Sequence, residues 1–201
     1  MAAFNELNCN PELRESSFAA LLVGRRYGAG IVLNSQLLRQ RRGNAGELEI
    51  LHMVDGVGGA DGAGYSAQVL AVEAIERAKA GSGPSTSLSM WSEGTIRAEH
   101  VFMMADQGDD VAREIVDKVA DRIARVCALL AGPLGLEGVV ISGGMAPALS
   151  SLVSRIQESV QNYLYAPWLK ISASATGADA VCNGAVFAAI EGVRELSLIH
   201  I

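Results

Sequence analysis

Residues 23–54 read VGRRYGAGIVLNSQLLRQRRGNAGELEILHMV. Two Gly-punctuated turns, GRRYGAG from Gly24 and RGNAGE from Arg42, flank the pattern AGIVL-NS-QLL. Each half of that pattern is apolar and β-branched enough to form a strand, and Asn34-Ser35 supplies a two-residue turn, so the segment predicts a β-hairpin. Gly24, Gly28, Gly30, Gly43 and Gly46 are poor strand residues. They predict places where the backbone takes positive φ or closely approaches another group, such as a ligand.

Working outward, FAALLV at 18–23 is a continuous apolar run of strand length, as a sheet buried on both faces requires. Upstream of it MAAFNELNC predicts a helix. Downstream, the Gly-rich passage DGVGGADGAGY from Asp55 leads to a helix capped by Ser66, with Val69, Val72 and Ile75 at helical spacing and Gly81 at its end. GSGPSTSLS predicts a flexible surface loop. A short helix ending at Gly108 follows, and Asp109 opens the longest helix, whose stripe is Val111, Ile115, Val119, Ile123, Val126 and Leu130 and which Gly132-Pro133 is expected to stop. The strand GVVIS, the step Gly143-Gly144, an amphipathic helix from Pro147 to Leu164, the strand LKISAS and the closing helix DAVCNGAVFAAIEGV complete the pattern. Alternating strands and helices after residue 109 imply parallel strands joined by crossovers.

Composition bounds the rest. A chain of 201 residues with 50% hydrophobic content has enough apolar surface for one large core. Its net charge of -6 argues against bulk electrostatic binding of nucleic acid by this segment. No run of eighteen apolar residues is present, so no membrane contact is expected. Cys9, Cys127 and Cys182 are widely spaced and odd in number, which predicts a reduced, cytoplasmic protein. The apolar string LSLIHI breaks the polar finish EGVRE, so residues 196–201 predict a non-native tail and 1–195 the domain proper.

The two turns around the hairpin carry a resemblance. Gly24, Gly28, Gly30, Ile31 and Val32, then Gly43, Ala45, Gly46 and Glu47, resemble the pattern of the ROK family, the sugar kinases and related transcriptional repressors of the actin-like ATPase superfamily. The resemblance implies an α/β, ribonuclease H-like (actin-like ATPase) domain with a hairpin insertion and parallel strands covered by helices. It also implies an incomplete N-terminal lobe, because the first helix would directly follow the Asn-Asp pair whose Asp is the general base of the kinases.

Site expectations follow from the same matches. The family's Gly-Thr-Gly turn exposes backbone N–H groups to a nucleotide phosphate. Here Arg25 and Arg26 stand at its second and third positions, between Gly24 and Gly28, where they would clamp an anion or fill the space of ATP phosphates. Gly143-Gly144 matches the place where adenosine approaches the backbone, although a tight strand-to-helix turn wants glycine in any case. Gly46 and Glu47 match the sugar-binding turn, a carboxylate being suited to adjacent hydroxyls. Three residues beyond Glu47 stands Ile50 rather than the family histidine, and His52 lies two positions further, a candidate ligand contact or a hydrogen-bonded turn histidine. The family's zinc-binding cysteines have no counterpart in this passage, so no zinc or other metal site is expected.

Phosphoryl transfer needs a carboxylate base and an N-terminal phosphate loop that positions ATP and magnesium. Neither is in these residues, so this polypeptide is expected to have no kinase activity, and ATP and magnesium enter only if the parent is a kinase. Three readings stand. The first is the sensing half of a transcriptional regulator, which binds a sugar or sugar phosphate, acts as a homodimer or higher oligomer, and reaches DNA only through an absent N-terminal domain. The second is the C-terminal lobe of an ATP-dependent kinase for a hexose or N-acyl-hexosamine. The third is a degenerate domain kept for oligomerisation.

Overall fold

The unbroken apolar run FAALL forms strand β1 (Phe18–Leu22), and its neighbours organise the molecule. The computed structural model describes residues 1–39 and 46–199, with side chains as far as residue 194. The hairpin strands are β2 (Gly28–Leu33) and β3 (Gln36–Leu37), and the later strands are β4 (Gly138–Ser142) and β5 (Lys170–Ala173). They form one sheet of order β3-β2-β1-β4-β5. β1 pairs antiparallel with β2 and parallel with β4, which pairs parallel with β5. Being central, β1 is covered on both sides, and Phe18, Ala19, Ala20 and Leu21 are fully buried.

The hairpin turn has the expected chemistry. Asn34 and Ser35 both take positive φ, 49° and 65°, the conformation that matches the twist of paired strands. Gly28 and Gly30 lie inside β2 without positive φ. Gly28 has open space at its Cβ position and departs from expectation, whereas Gly30 meets it by close approach, because the first helix, α1 (Ala2–Cys9), crosses the strand. A Cβ at Gly30 would come within 2.6 Å of Ala3 Cβ. Gly43 and Ala45 of the second turn lie outside the described residues.

Helices cover both faces. On one side pack α2 (Ala63–Lys79), α3 (Ala98–Asp106), α4 (Asp110–Leu134) and α6 (Val153–Val160), burying Ala19, Leu21, Val139 and Ile141 of the sheet. On the other, α1 and α7 (Ala180–Ile199) meet Phe18, Ala20, Val32 and Val140. The stripe of α4, from Val111 to Leu130, is buried as its period requires. The helix α7 continues through residues 196–199.

Four boundaries differ from the sequence expectation, each for a local reason. α2 starts at Gly62 rather than at Ser66, whose side chain is buried in the first turn. Its buried face is Ala67, Ala71, Ala74 and Ile75, with Val69 and Val72 only half-buried, because small side chains let α2 approach its neighbours closely. α4 passes through Pro133 and stops at Gly135, which adopts φ 60°. Proline in the last turn gives up a single backbone bond, whereas a left-handed residue ends the helix. The stretch 147–164 breaks into α5 (Ala146–Leu149), a 3-10 turn (Ser150–Leu152) and α6, with Ser150 Oγ donating to Pro147 O at 2.7 Å.

The fourth concerns the segment expected to be a flexible loop. It contains a 3-10 turn (Ser87–Met90) whose Leu88 is fully buried. Asp109 holds it: its carboxylate accepts from the Thr86 hydroxyl at 3.0 Å, from Ser87 N at 2.6 Å and from Ala112 N at 2.9 Å. Desolvation acts to raise the Asp109 pKa, but these hydrogen bonds outweigh it and hold the carboxyl below its ordinary value.

Candidate functional site

Register puts the predicted residues at one end of the sheet. Leu22 pairs with Gly28 on one side and Ser142 on the other, and Gly28 bridges to Glu47. The Gly24 turn, the Gly143-Gly144 step and the Gly46-Glu47 turn therefore crowd around the C-terminal end of β1. Gly143 takes φ 92°, as the sharp exit from β4 demands.

The Gly24 turn is tied along its backbone. Tyr27 N donates to Ala60 O at 2.9 Å, Gly62 N to Arg25 O at 3.0 Å and Gly64 N to Gly24 O at 3.1 Å. A side chain at Gly62 would collide with Gly24 O, so glycine at the start of α2 is what allows this close seam.

Where this turn meets the first turns of α2 and α3, a cleft of about 470 Å³ opens. Gly24 and Arg25 form one wall, Gly64, Tyr65 and Gln68 another, and Arg97, Ala98, Glu99 and Met145 complete it. Arg25 and Arg97 are exposed and form no ion pair with a described residue. The α3 wall is pinned from behind, because Arg97 N donates to His100 Nδ1 at 3.1 Å and the His100 ring stacks on Trp91 with centroids 4.4 Å apart. That hydrogen bond requires Nδ1 to be unprotonated.

The structure separates the two arginines expected to act together. Arg25 lines the cleft. Arg26 does not: it is ion-paired with Glu49, whose other oxygen lies 3.4 Å from His52 Nε2. Backbone bridging between Arg26 and Asp61 gives the turn an extended form, so successive side chains leave on opposite sides.

Gly46 and Glu47 anchor the second turn on β2. Gly46 O accepts from Ala29 N at 2.8 Å, and Gly46 takes φ 84° with a Cβ position blocked by Ala29 O. Glu47 is exposed and shares the sheet end but not the lining of the Arg25 cleft. His52 lies on a 3-10 turn (Glu49–Met53), is more than half exposed, and rests on Gly59; like Glu47, it is not part of the cleft lining.

The passage after His52 keeps its shape without thiolates. Gly56, Gly58 and Gly59 have φ of 81°, 78° and 77°, and against them lie Arg125, Arg122 and His52 respectively. The cysteines are elsewhere: Cys9 and Cys182 are exposed and free, and Cys127 is fully buried, its thiol pushed up to about 12 by burial. The donor set around residues 54–62 does not fit zinc, and among the described residues no group of three or more candidate ligands gathers. Tyr27 Oη, behind the arginine turn, is buried without a hydrogen-bond partner, and desolvation holds its pKa well above the ordinary value.

Sequence reasoning missed the far wall of the cleft, Arg97, Glu99 and Met145. Only the position of Arg97 and Glu99 at the predicted start of a helix hinted at it, since charged groups at a helix N-terminus face whatever that end faces.

The mixed sheet with its inserted hairpin, helices on both faces and a cleft at the strand ends define an α/β domain of the actin-like ATPase type. More particularly, the chain belongs to the ROK family, whose sequence profile matches residues 1–191. It is 28% identical over 151 residues to a glucokinase of Halalkalibacterium halodurans, covering 71% of this chain and 46% of that protein. In fold it resembles a ROK-family glucokinase from Streptomyces griseus solved with glucose and AMPPNP, with TM-score 0.74, 24% identity, 92% of this chain and 64% of that one. It equally resembles a ROK-family transcriptional regulator homologous to the E. coli MLC protein, with TM-score 0.74, 21% identity, 92% of this chain and 48% of that one. The chain thus spans about half to two thirds of the length of these relatives. Among the described residues no helix is long and apolar enough to cross a membrane.

Proposed function

We propose that this chain is the sugar-sensing effector domain of a ROK-family transcriptional regulator and that it transfers no phosphate itself. The observation that carries this reading is the state of the Gly24 turn. Its backbone is sewn to residues 60–64, and the Arg25 side chain stands in the cleft, so the turn is not a bare cradle of amides. Glu47, with Gly46 setting its position, supplies the carboxylate for sugar hydroxyls at the same end of the sheet, and His52 lies outside that contact. Sugar binding shifts the population toward one arrangement of the parent's lobes and thereby moves paired DNA-binding arms of a cytoplasmic dimer. DNA contact belongs to a segment outside these residues.

The second reading, the C-terminal lobe of an ATP-dependent hexose or N-acyl-hexosamine kinase, is favoured by the identity to a glucokinase and to N-acetylmannosamine kinases. Thermal melting separates the two. Glucose or an N-acyl-hexosamine at about a hundred times its Kd is expected to stabilise the chain by about 2.7 kcal/mol, with no added effect of Mg-ATP. Stabilisation by Mg-ATP alone, lost in a Gly143→Val variant, would sink the effector reading in favour of the kinase lobe.

A further inference from the structure

Half of the chain's tryptophans and tyrosines stand within six residues of sequence, at Tyr163, Tyr165 and Trp168, in the turn between α6 and β5. All three are exposed, Tyr165 at 85% and Trp168 at 62%. Because β4 and β5 run parallel to β1, this turn lies at the opposite end of the sheet from the Gly24 cleft. Beside it a groove of about 240 Å³ is lined by Val54, Ala128, Leu129, Pro133, Tyr163 and the Arg125 side chain. One wall is fixed: Asp121 accepts from Tyr163 Oη and from Arg125 Nε at 2.9 Å, and the guanidinium lies over the Tyr163 ring, 4.4 Å from its centroid. The groove is smaller than the roughly 300 Å³ at which pockets for whole small-molecule ligands begin, and it suits one large side chain.

We propose that this face pairs with the same face of a second copy of the chain about a two-fold axis, the Trp168 indole of each copy entering the groove of the other. A knob and a hole on one face are what an isologous contact requires. Asp55, also in the lining, offers an acceptor to the indole N–H, which a buried tryptophan needs. Charge permits the approach. The chain carries -6, yet around the groove its charges are matched, Arg125 with Asp121, Arg155 with Asp117 and Lys118 with Glu114, so like copies meet there with little net repulsion. At about 150–250 Å² for each fully buried aromatic, the exposed parts of Tyr163, Tyr165 and Trp168 supply roughly 350 Å². That is the apolar centre of an interface of about 800 Å² per partner, with the ion pairs as its polar rim. α7 also exposes apolar side chains, Val186 and Ile190, but these are aliphatic, whereas Trp, Tyr and Arg carry most of the energy at protein contacts. The pairing stands on this face alone and holds equally for an effector domain and for a kinase lobe.

The test is sedimentation velocity of the chain from about 1 to 100 μM, repeated for three variants. Association that stops at two copies is expected, with Trp168→Glu and Leu129→Glu each raising the dissociation constant about tenfold or more. Both residues are exposed, so the variants fold, which unaltered far-ultraviolet circular dichroism checks. Val186→Glu, on α7, is expected to leave the dissociation constant unchanged. A monomer at every concentration, pairing that survives both Trp168→Glu and Leu129→Glu, pairing lost in Val186→Glu but kept in Trp168→Glu, or assemblies that keep growing beyond two copies overturns the proposal. Pairing lost in the Trp168 and Leu129 variants supports it whether or not glucose stabilises the chain in melting, so its failure and that of the effector reading are told apart.

Discussion

At the Gly24 turn the guanidinium of Arg25 is left facing a cleft, whereas one residue later Arg26 is ion-paired, and in the segment 49–59 Glu49 and His52 are committed to the protein. Glu49 holds Arg26 and His52, while Arg122, Arg125 and His52 lie against three glycines of positive φ. Both regions are rich in glycine and charge, and they use them differently. In the second, glycine lets side chains from α4 close down on a loop, and the charges are spent on that closure. In the first, Gly62 lets α2 press on the turn, which stiffens the backbone and leaves the side chain of Arg25 for a ligand. Arg25 faces the cleft, whereas Arg122 and Arg125, packed over glycine, serve the loop.

The strongest way to break the second region is at Gly46. Valine there must adopt positive φ and displace Ala29 O, and these two costs together are expected to lower stability by about 3 kcal/mol or more. Urea denaturation reads the loss. A melting temperature equal to that of the parent would show that Glu47 is not held on β2 as described.

The cap of α4 offers a second, smaller effect. Asp109 caps α4 and holds Thr86 and Ser87, so Asp109→Ala is expected to cost about 1–2 kcal/mol. The acid limb gives the sign. Because its folded pKa is depressed, Asp109 contributes fully above the ordinary carboxylate value, and that contribution fades as pH falls through the lowered folded value. The parent's stability should therefore decline on acidification more steeply than that of Asp109→Ala. Parallel acid curves would remove Asp109 from its place in the fold.

How much of this was legible beforehand depends on range. FAALL, the Asn34-Ser35 hairpin and the stripe of α4 announce themselves through periods of two and 3.6 and through turn residues, all local signals. The start of α2 at Gly62 was hidden because the reason for it, the carbonyl of Gly24, lies far upstream. The packed state of the loop at Leu88 depended on Asp109, whose capping role was visible but whose bonds to Thr86 and Ser87 were not. The family turns were readable as a resemblance. The partition of Arg25 from Arg26 was not, because it is decided by Asp61 and Glu49, which come to the turn only through the fold.

Tyr27 sharpens the comparison from beneath the turn. Its hydroxyl is buried and unpartnered, while its ring belongs to the core under the arginines. Removing an unsatisfied buried hydroxyl and keeping the ring should be neutral or stabilising by up to about 1 kcal/mol, so Tyr27→Phe is expected to melt at or slightly above the parent temperature. Destabilisation by more than that would mean the hydroxyl has a partner that stabilises the fold.

The smallest expected effect is the most discriminating. Arg26 and Glu49 form an exposed ion pair, their side chains 58% and 61% accessible, and such pairs contribute roughly 0.5 kcal/mol or less. Arg26→Gln should therefore leave stability almost unchanged, make it less sensitive to salt, and release Glu49 to His52 alone. If adjacent arginines differ because one is paired and the other is not, Arg25→Gln must leave the salt dependence of stability as it is in the parent. An equal loss of salt sensitivity in Arg25→Gln would show that both guanidiniums are engaged alike, as the sequence by itself implied, and that charge pairing does not separate the two regions.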